Sequence, residues 1–166
     1  MNRKVAYFAS ASVLLLSTGA LAASDTQNMT VQATITAGCT LTINAALNFG
    51  NVATTASATT AQTTATVNCA SAIPFNVGMD NGQDGSARVM WDSTNGAVGH
   101  QLAYDVFTDN TYTDPYGPAI LGQPSGNFSS SGAAGDTVIT FYGQIPIQAT
   151  PVAGAYSDTL AVTVVY

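Results

Sequence analysis

The sequence predicts an all-β protein, an antiparallel β-sandwich, on three observations. Apolar residues recur at every second position in several short runs, clusters of Gly, Pro, Asn, Asp and Ser separate the runs, and no stretch carries a helical period. Thr, Val, Ala and Gly dominate, glutamate is absent and no lysine follows Lys4. That composition suits strands joined by turns and makes poor surface helices.

In chain order, the first alternation is Asn28–Thr36. Met29, Val31, Ala33 and Ile35 point one way, with Thr30, Gln32 and Thr34 between them. Ala37-Gly38 is a break before Cys39. Leu41, Ile43, Leu47 and Phe49 then predict a first core strand interrupted near Asn44-Ala45. The Ala/Thr-rich stretch 53–66 reads as an exposed loop entering a strand marked by Val67 and Cys69. Ile73, Phe75, Val77 and Met79 alternate cleanly, with Pro74 expected at the strand start or on an unpaired edge. Turns are expected at Asp80–Gly85 and Ser93–Gly96, on either side of a short strand at Ala87–Trp91. Leu102, Tyr104 and Val106 predict one strand. Residues 109–127, rich in Pro and Gly, predict loop, with room for a short hairpin. Thr137–Tyr142 is a strand, and Ile145-Pro146-Ile147 continues it or starts another. Tyr156–Tyr166 closes the chain, with Leu160, Val162, Val164 and Tyr166 on one face.

Residues 1–22 are read as a secretory signal: Arg3 and Lys4, an apolar run from Val5 to Leu16, and Ala20-Leu-Ala22 as a small-residue cleavage site. The run is too short to span a bilayer. Of the three cations only Arg88 lies beyond residue 22, against nine aspartates, so the mature segment carries 1 − 9 = −8. Such a surface does not neutralise a phosphate backbone, which excludes nucleic acid and favours a basic partner. An even pair of cysteines, Cys39 and Cys69, in an exported chain reads as one disulfide.

Sites for chemistry are poorly supported. Asp80-Asn-Gly-Gln-Asp-Gly85 resembles a calcium loop but has Gly82 at the third position and Trp91 at the twelfth, where a bidentate glutamate belongs. His100 is the only histidine, and no Gly-x-Ser-x-Gly elbow accompanies it. No marked aspartate pair supports glycosidase chemistry. No Cys-x-x-Cys occurs. Asn28-Met-Thr and Asn127-Phe-Ser fit the glycosylation triplet, a pattern common by chance. The expectation is a non-enzymatic protein without cofactor or metal.

Several pieces in order resemble one family, the spore coat protein U domain of archaic (Csu-type) chaperone–usher pilins. They are Gly38-Cys-Thr40, Leu47-Asn-Phe-Gly50, Thr66-Val-Asn-Cys69, Pro74-Phe-Asn-Val-Gly78, Leu102-Ala-Tyr-Asp-Val-Phe107, Tyr142-Gly-Gln-Ile-Pro146 and the ending 154–166. The resemblance implies an immunoglobulin-like sandwich lacking its final strand, with residues 38–166 as the domain and 23–37 as an N-terminal extension. A periplasmic chaperone would fill the gap first and the extension of the next subunit would replace it, a mode of strand addition known for pilins. Met29, Val31, Ala33 and Ile35 would be the donated side chains. Cys39–Cys69 would be the family disulfide. Leu160, Val162, Val164 and Tyr166 would line the acceptor groove, with the Tyr166 carboxylate anchoring basic chaperone residues. The implied partners are identical or related pilin subunits, the chaperone and an outer-membrane usher. The implied product is a cell-surface fibre for adhesion and biofilm formation. Alternatives are a spore or cyst coat protein assembled the same way, and a monomeric secreted binding module.

Overall fold

Alternation decides which side chains reach the interior, and the burial of each strand follows it. The computed structural model describes residues 27–34, 36–92, 100–123, 125–132 and 134–166. The residues 1–22 read as a signal, Ile35 and the turn expected at Ser93–Gly96 lie outside these residues. The chain divides into two units, Met1–Thr34 and Ile35–Tyr166. In the first, residues 27–34 form no strand, and Met29 and Val31 are 84% and 80% exposed.

The described part of the second unit holds β1 (Cys39–Ile43), β2 (Thr59–Cys69), β3 (Phe75–Met79), β4 (Val89–Asp92), β5 (Gln101–Ala103), β6 (Asp105–Phe107), β7 (Phe128–Ser130), β8 (Gly135–Ile145), β9 (Tyr156–Ser157) and β10 (Val162–Val165). The sheets are β1-β2-β8-β6, β10-β3-β7 and β5-β4-β9, and each ladder is antiparallel. Ala65, Val67, Val106, Ile139, Phe141 and Ile145 from the first sheet share one core cluster with Phe75, Val77 and Met79 of β3. That shared core makes the layers a sandwich. The antiparallel all-β architecture expected from the sequence is therefore the one the chain adopts.

β3 is buried on both faces. Its outer face is closed by the 117–123 loop: Asn76 Nδ2 donates to Gln123 O at 2.8 Å and Gly122 N donates to Asn76 Oδ1 at 3.0 Å. A Cβ at Gly78 would lie 2.4 Å from Ala119 N, so only glycine admits the loop. Arg88 is buried and donates to the carbonyls of Asp80 (2.9 Å) and Tyr116 (2.7 Å), and pairs with Asp105. Cys39 and Cys69 face each other in the β1–β2 register and are bonded.

The structure departs from the expected elements in identifiable ways. β1 stops at Ile43, at the interruption expected near Asn44-Ala45, but no strand resumes over Leu47 and Phe49. β2 begins at Thr59, inside the stretch read as loop, because its threonines alternate with Ala61, Ala65 and Val67 and pair along the whole of β8. The strand expected over Leu102–Val106 is two strands in different sheets. Tyr104 N donates to Arg88 O at 3.1 Å at the crossover, so β5 follows β4 and β6 follows β8. The last run likewise breaks into β9 and β10. β7 was not expected, because Phe128 stands alone among serines.

Three outcomes follow from these contacts. Replacing both cysteines by serine should lower stability by roughly 3–4 kcal/mol, from the entropy of the 30-residue loop, as read by urea unfolding of the oxidised and variant proteins. Trypsin should leave the folded domain intact, since Arg88 is buried, and cut once after Arg88 when it is unfolded. Arg88→Met should cost about 3 kcal/mol by leaving buried carbonyls unpaired.

Candidate acceptor cleft

β1 and β10 are edge strands of their sheets, each paired on one side only among the described strands. An edge strand presents unsatisfied N–H and C=O groups, so the space beside it is a place where another strand can add. Beyond Ile43 the chain leaves β2. Asn44 N still donates to Thr64 O at 2.9 Å and Thr63 Oγ1 to Ala45 O at 2.6 Å, but residues 46–53 join no strand.

An apolar trough opens between this segment and residues 150–162. Its first cavity, about 440 Å³, has Val106 and Phe141 at its floor, Ile43 and Leu47 on one wall and Leu160 and Val162 on the other. Its second, about 590 Å³, is floored by Leu102 and Ile145 and walled by Val52 and Val152. Leu47, Phe49, Met90 and Tyr156 line both, so the cavities are two halves of one trough. Gly143 is a buried position of β8 without a side chain. A Cβ there would lie 2.7 Å from Leu47 Cδ2 and 2.9 Å from Phe49 Cζ, so the glycine lets both residues lie against the floor. Phe49 also packs edge-on to Tyr104, with ring centroids 6.2 Å apart.

One charged group lines the described trough, Asp158. Tyr104 Oη donates to its Oδ2 at 2.8 Å, while Gln83 N (3.0 Å) and Thr159 N (2.7 Å) donate to Oδ1. Asp80 Oδ1 accepts from Gly82 N (3.0 Å) and Ala161 N (2.9 Å). These two carboxylates tie the β9–β10 link to the Asp80–Gly85 turn, so the residues resembling a calcium loop act as a clamp on the trough wall. Burial, then the Asp158 carboxylate, pushes the Tyr104 phenol far above its ordinary range. Tyr116 is raised by burial and Asp114, and Tyr156 by burial and Asp92.

Of the residues named from sequence, Leu160 and Val162 line the first cavity. Val164 is half-buried against the core. Tyr166 is 53% exposed and is not among the lining residues. Met29, Val31 and Ala33 belong to the other unit and are exposed, and Ile35 lies outside the described residues. Sequence reasoning did not name Ile43, Leu47, Phe49, Met90 and Tyr156 as wall. The alternation Leu47-Asn-Phe49 was visible, but periodicity cannot distinguish a core strand from a segment beside an open edge.

The family model of the Spore Coat Protein U domain matches residues 25–163. The chain belongs to the Spore Coat Protein U domain family. The sequence matches no curated protein. Among solved structures, this Spore Coat Protein U domain is similar to the CsuC–CsuE chaperone–tip adhesion subunit pre-assembly complex from archaic chaperone-usher Csu pili of Acinetobacter baumannii, at 22% identity and a TM-score of 0.58. The likeness covers 80% of this chain and 41% of that chain, so the domain spans less than half of its structural neighbour, and it establishes the fold.

The raised tyrosines give a pH dependence with a definite sign. An unfolded phenol ionises near pH 10, whereas the folded ones resist ionisation, so their contribution to stability is complete below pH 10 and declines as pH rises past it. Thermal midpoints should fall above pH 10, and Tyr104→Phe should flatten that fall while costing about 1 kcal/mol at neutral pH through the lost bond to Asp158. A midpoint that keeps the same alkaline slope in Tyr104→Phe contradicts this assignment.

Proposed function

We propose that this protein is a structural subunit of an archaic chaperone–usher pilus that polymerises head to tail by donor-strand complementation. The observation that carries the reading is the apolar trough beside the free edge of β10, in a chain whose own N-terminal segment alternates Met29, Val31, Ala33 and Ile35. The trough supplies backbone groups and apolar walls, and the segment supplies what both lack. Four alternating side chains entering it would contribute roughly 5–8 kcal/mol from apolar burial, before the cost of ordering the strand. Donor and trough are different surfaces, so the contact does not close on itself and builds a filament.

In this reading residues 23–37 are the donor extension, residues 38–166 the acceptor domain, and the subunit lacks the final strand of an immunoglobulin-like sandwich. Ile43, Leu47, Phe49, Leu160 and Val162 receive the strand, and Val164 and Tyr166 continue the β10 edge that a periplasmic chaperone occupies first. An outer-membrane usher then assembles the fibre on the cell surface, where it serves adhesion and biofilm formation. Support comes from the family match, which begins at residue 25 and so spans the alternating run 28–36, and from the structural neighbour, which is itself a chaperone–subunit complex of a pilus. The family description favours one second reading, a spore or cyst coat protein built by the same exchange; a host that forms neither removes it.

Co-expression with a periplasmic chaperone of the archaic chaperone–usher class should yield ladders that survive SDS without boiling. Val31→Asp should shorten the ladders while leaving a folded chaperone-bound subunit, because a carboxylate cannot enter the trough unpaired. A wild-type chain that remains a stable monomer alone contradicts the reading.

A further inference from the structure

The outer face of the β1-β2-β8-β6 sheet, turned away from the core and the trough, carries a group of aromatic side chains. Tyr142 on β8 lies opposite Phe107 on β6, and Gln62 on β2 lies opposite Tyr142 on its other side. Val106, Phe141 and Gly143 are buried, so alternation turns Phe107 and Tyr142 outward together, with Gln62 exposed beside them. Two strand spacings make this row ~10 Å wide. Tyr112 extends it, packing edge-on to Phe107 with ring centroids 5.6 Å apart.

Tyr112 is held in place against its own preference. Its φ is +57°, and among the described residues it is the non-glycine residue with positive φ. A bulky side chain disfavours that conformation, which glycine adopts freely. Asp109 enforces it. Its Oδ1 accepts from Thr111 N at 2.7 Å and from Thr111 Oγ1, and its Oδ2 accepts from Asp114 N at 3.0 Å. Thr108 N closes the loop onto Asp114 O at 3.0 Å. The Tyr112 ring is half-buried and outside the core cluster, so core packing does not account for the strain. A strained aromatic residue on a braced surface loop points to a contact it is kept for.

The groups around the rings say what would cover them. The Gln62 amide and the hydroxyls of Tyr142 and Thr140, the latter paired with Thr64 on the same face, make no hydrogen bond to the described residues. The nearby carboxylates are engaged: Asp109 in its own loop, Asp105 with Arg88, and Asp114 with Gly126 N at 3.0 Å and Thr108 Oγ1 at 3.0 Å. Arg88, the cation beyond residue 22, is buried. An anionic ligand finds no partner here and meets an excess of aspartates, and a second copy of the chain is repelled in the same way. A cation is held best by rings on several sides, whereas these rings share one side of a sheet. Apolar rings interleaved with unpaired amide and hydroxyl groups match a ligand that is uncharged, flat and rich in hydroxyls.

We propose that Tyr112, Phe107 and Tyr142, with Gln62 and Thr140, form a binding platform for a neutral polysaccharide. The rings stack on the CH faces of successive sugar rings, and the amide and hydroxyls bond the sugar hydroxyls. The platform lies on the opposite face of the sheet from the trough and does not rest on strand exchange. Any polymer of this chain repeats it, so that weak single sites add up to avidity.

The test titrates the purified full chain by calorimetry with cellohexaose, mannohexaose and N-acetylchitohexaose, and with trigalacturonate and choline as charged controls. At least one neutral oligosaccharide should bind with an affinity that added salt leaves unchanged, and neither charged control should bind. Tyr112→Gly relieves the backbone strain and should weaken that binding roughly tenfold without lowering the thermal midpoint, a combination that a structural role for the ring would not give. Tyr142→Thr, which keeps a good strand former, should weaken it to a similar degree. Unchanged binding in both variants, binding of choline in place of the sugars, or no binding of any neutral oligosaccharide overturns the platform. Each readout is independent of ladder formation, so failure here leaves the strand-exchange reading standing.

Discussion

An edge strand whose backbone groups face outward over an apolar floor must find a partner, and the architecture of this domain turns on that requirement. β10 is paired to β3 on one side only, and on its other side Leu160 and Val162 border the trough. Elsewhere the sheet faces are closed with care. The 117–123 loop covers the outer face of β3 through Asn76, and Arg88 caps carbonyls that the strand ends leave behind. Against that background the opening between residues 46–53 and 150–162 is a specific gap.

The trough walls are braced where they would otherwise collapse. The disulfide fixes β1 to β2 at Cys39–Cys69, so the edge strand keeps its register before it peels away at Asn44. On the opposite wall Asp80 and Asp158 hold the β9–β10 link through backbone amides, and Gly82 leaves the room that Asp158 occupies. Gly143 plays the matching part beneath Leu47 and Phe49. Under the proposed strand exchange, bracing of this kind would keep apolar surface available for an incoming strand without a folding step in the acceptor.

Fold class was legible because its signal is local. Period-two alternation and turn residues are written in neighbouring positions, and β1, β3, β4 and β8 fall where they predict. Sheet membership was not legible. Leu102 to Val106 alternate without interruption, yet the backbone crosses between sheets at Tyr104, and nothing in the side-chain pattern marks that point. The trough was half visible. Leu160 and Val162 were named because they open the alternation of the last run and the family resemblance puts that run at the groove, whereas Met90 and Tyr156 enter it from β4 and β9 through pairings far apart in sequence. Residues 29–34 form no strand of their own, and which sheet the Met29–Ile35 alternation would join cannot be read from one sequence pattern.

Amide hydrogen exchange over residues 29–35 tests the central claim most directly. The same chain would be compared as a chaperone-bound subunit and as assembled fibre. The account predicts fast exchange in the chaperone-bound subunit and protection in the fibre comparable to that of β3, because the segment there belongs to a neighbour's sheet. Fast exchange in both states, or equal protection in a lone monomer, would contradict it.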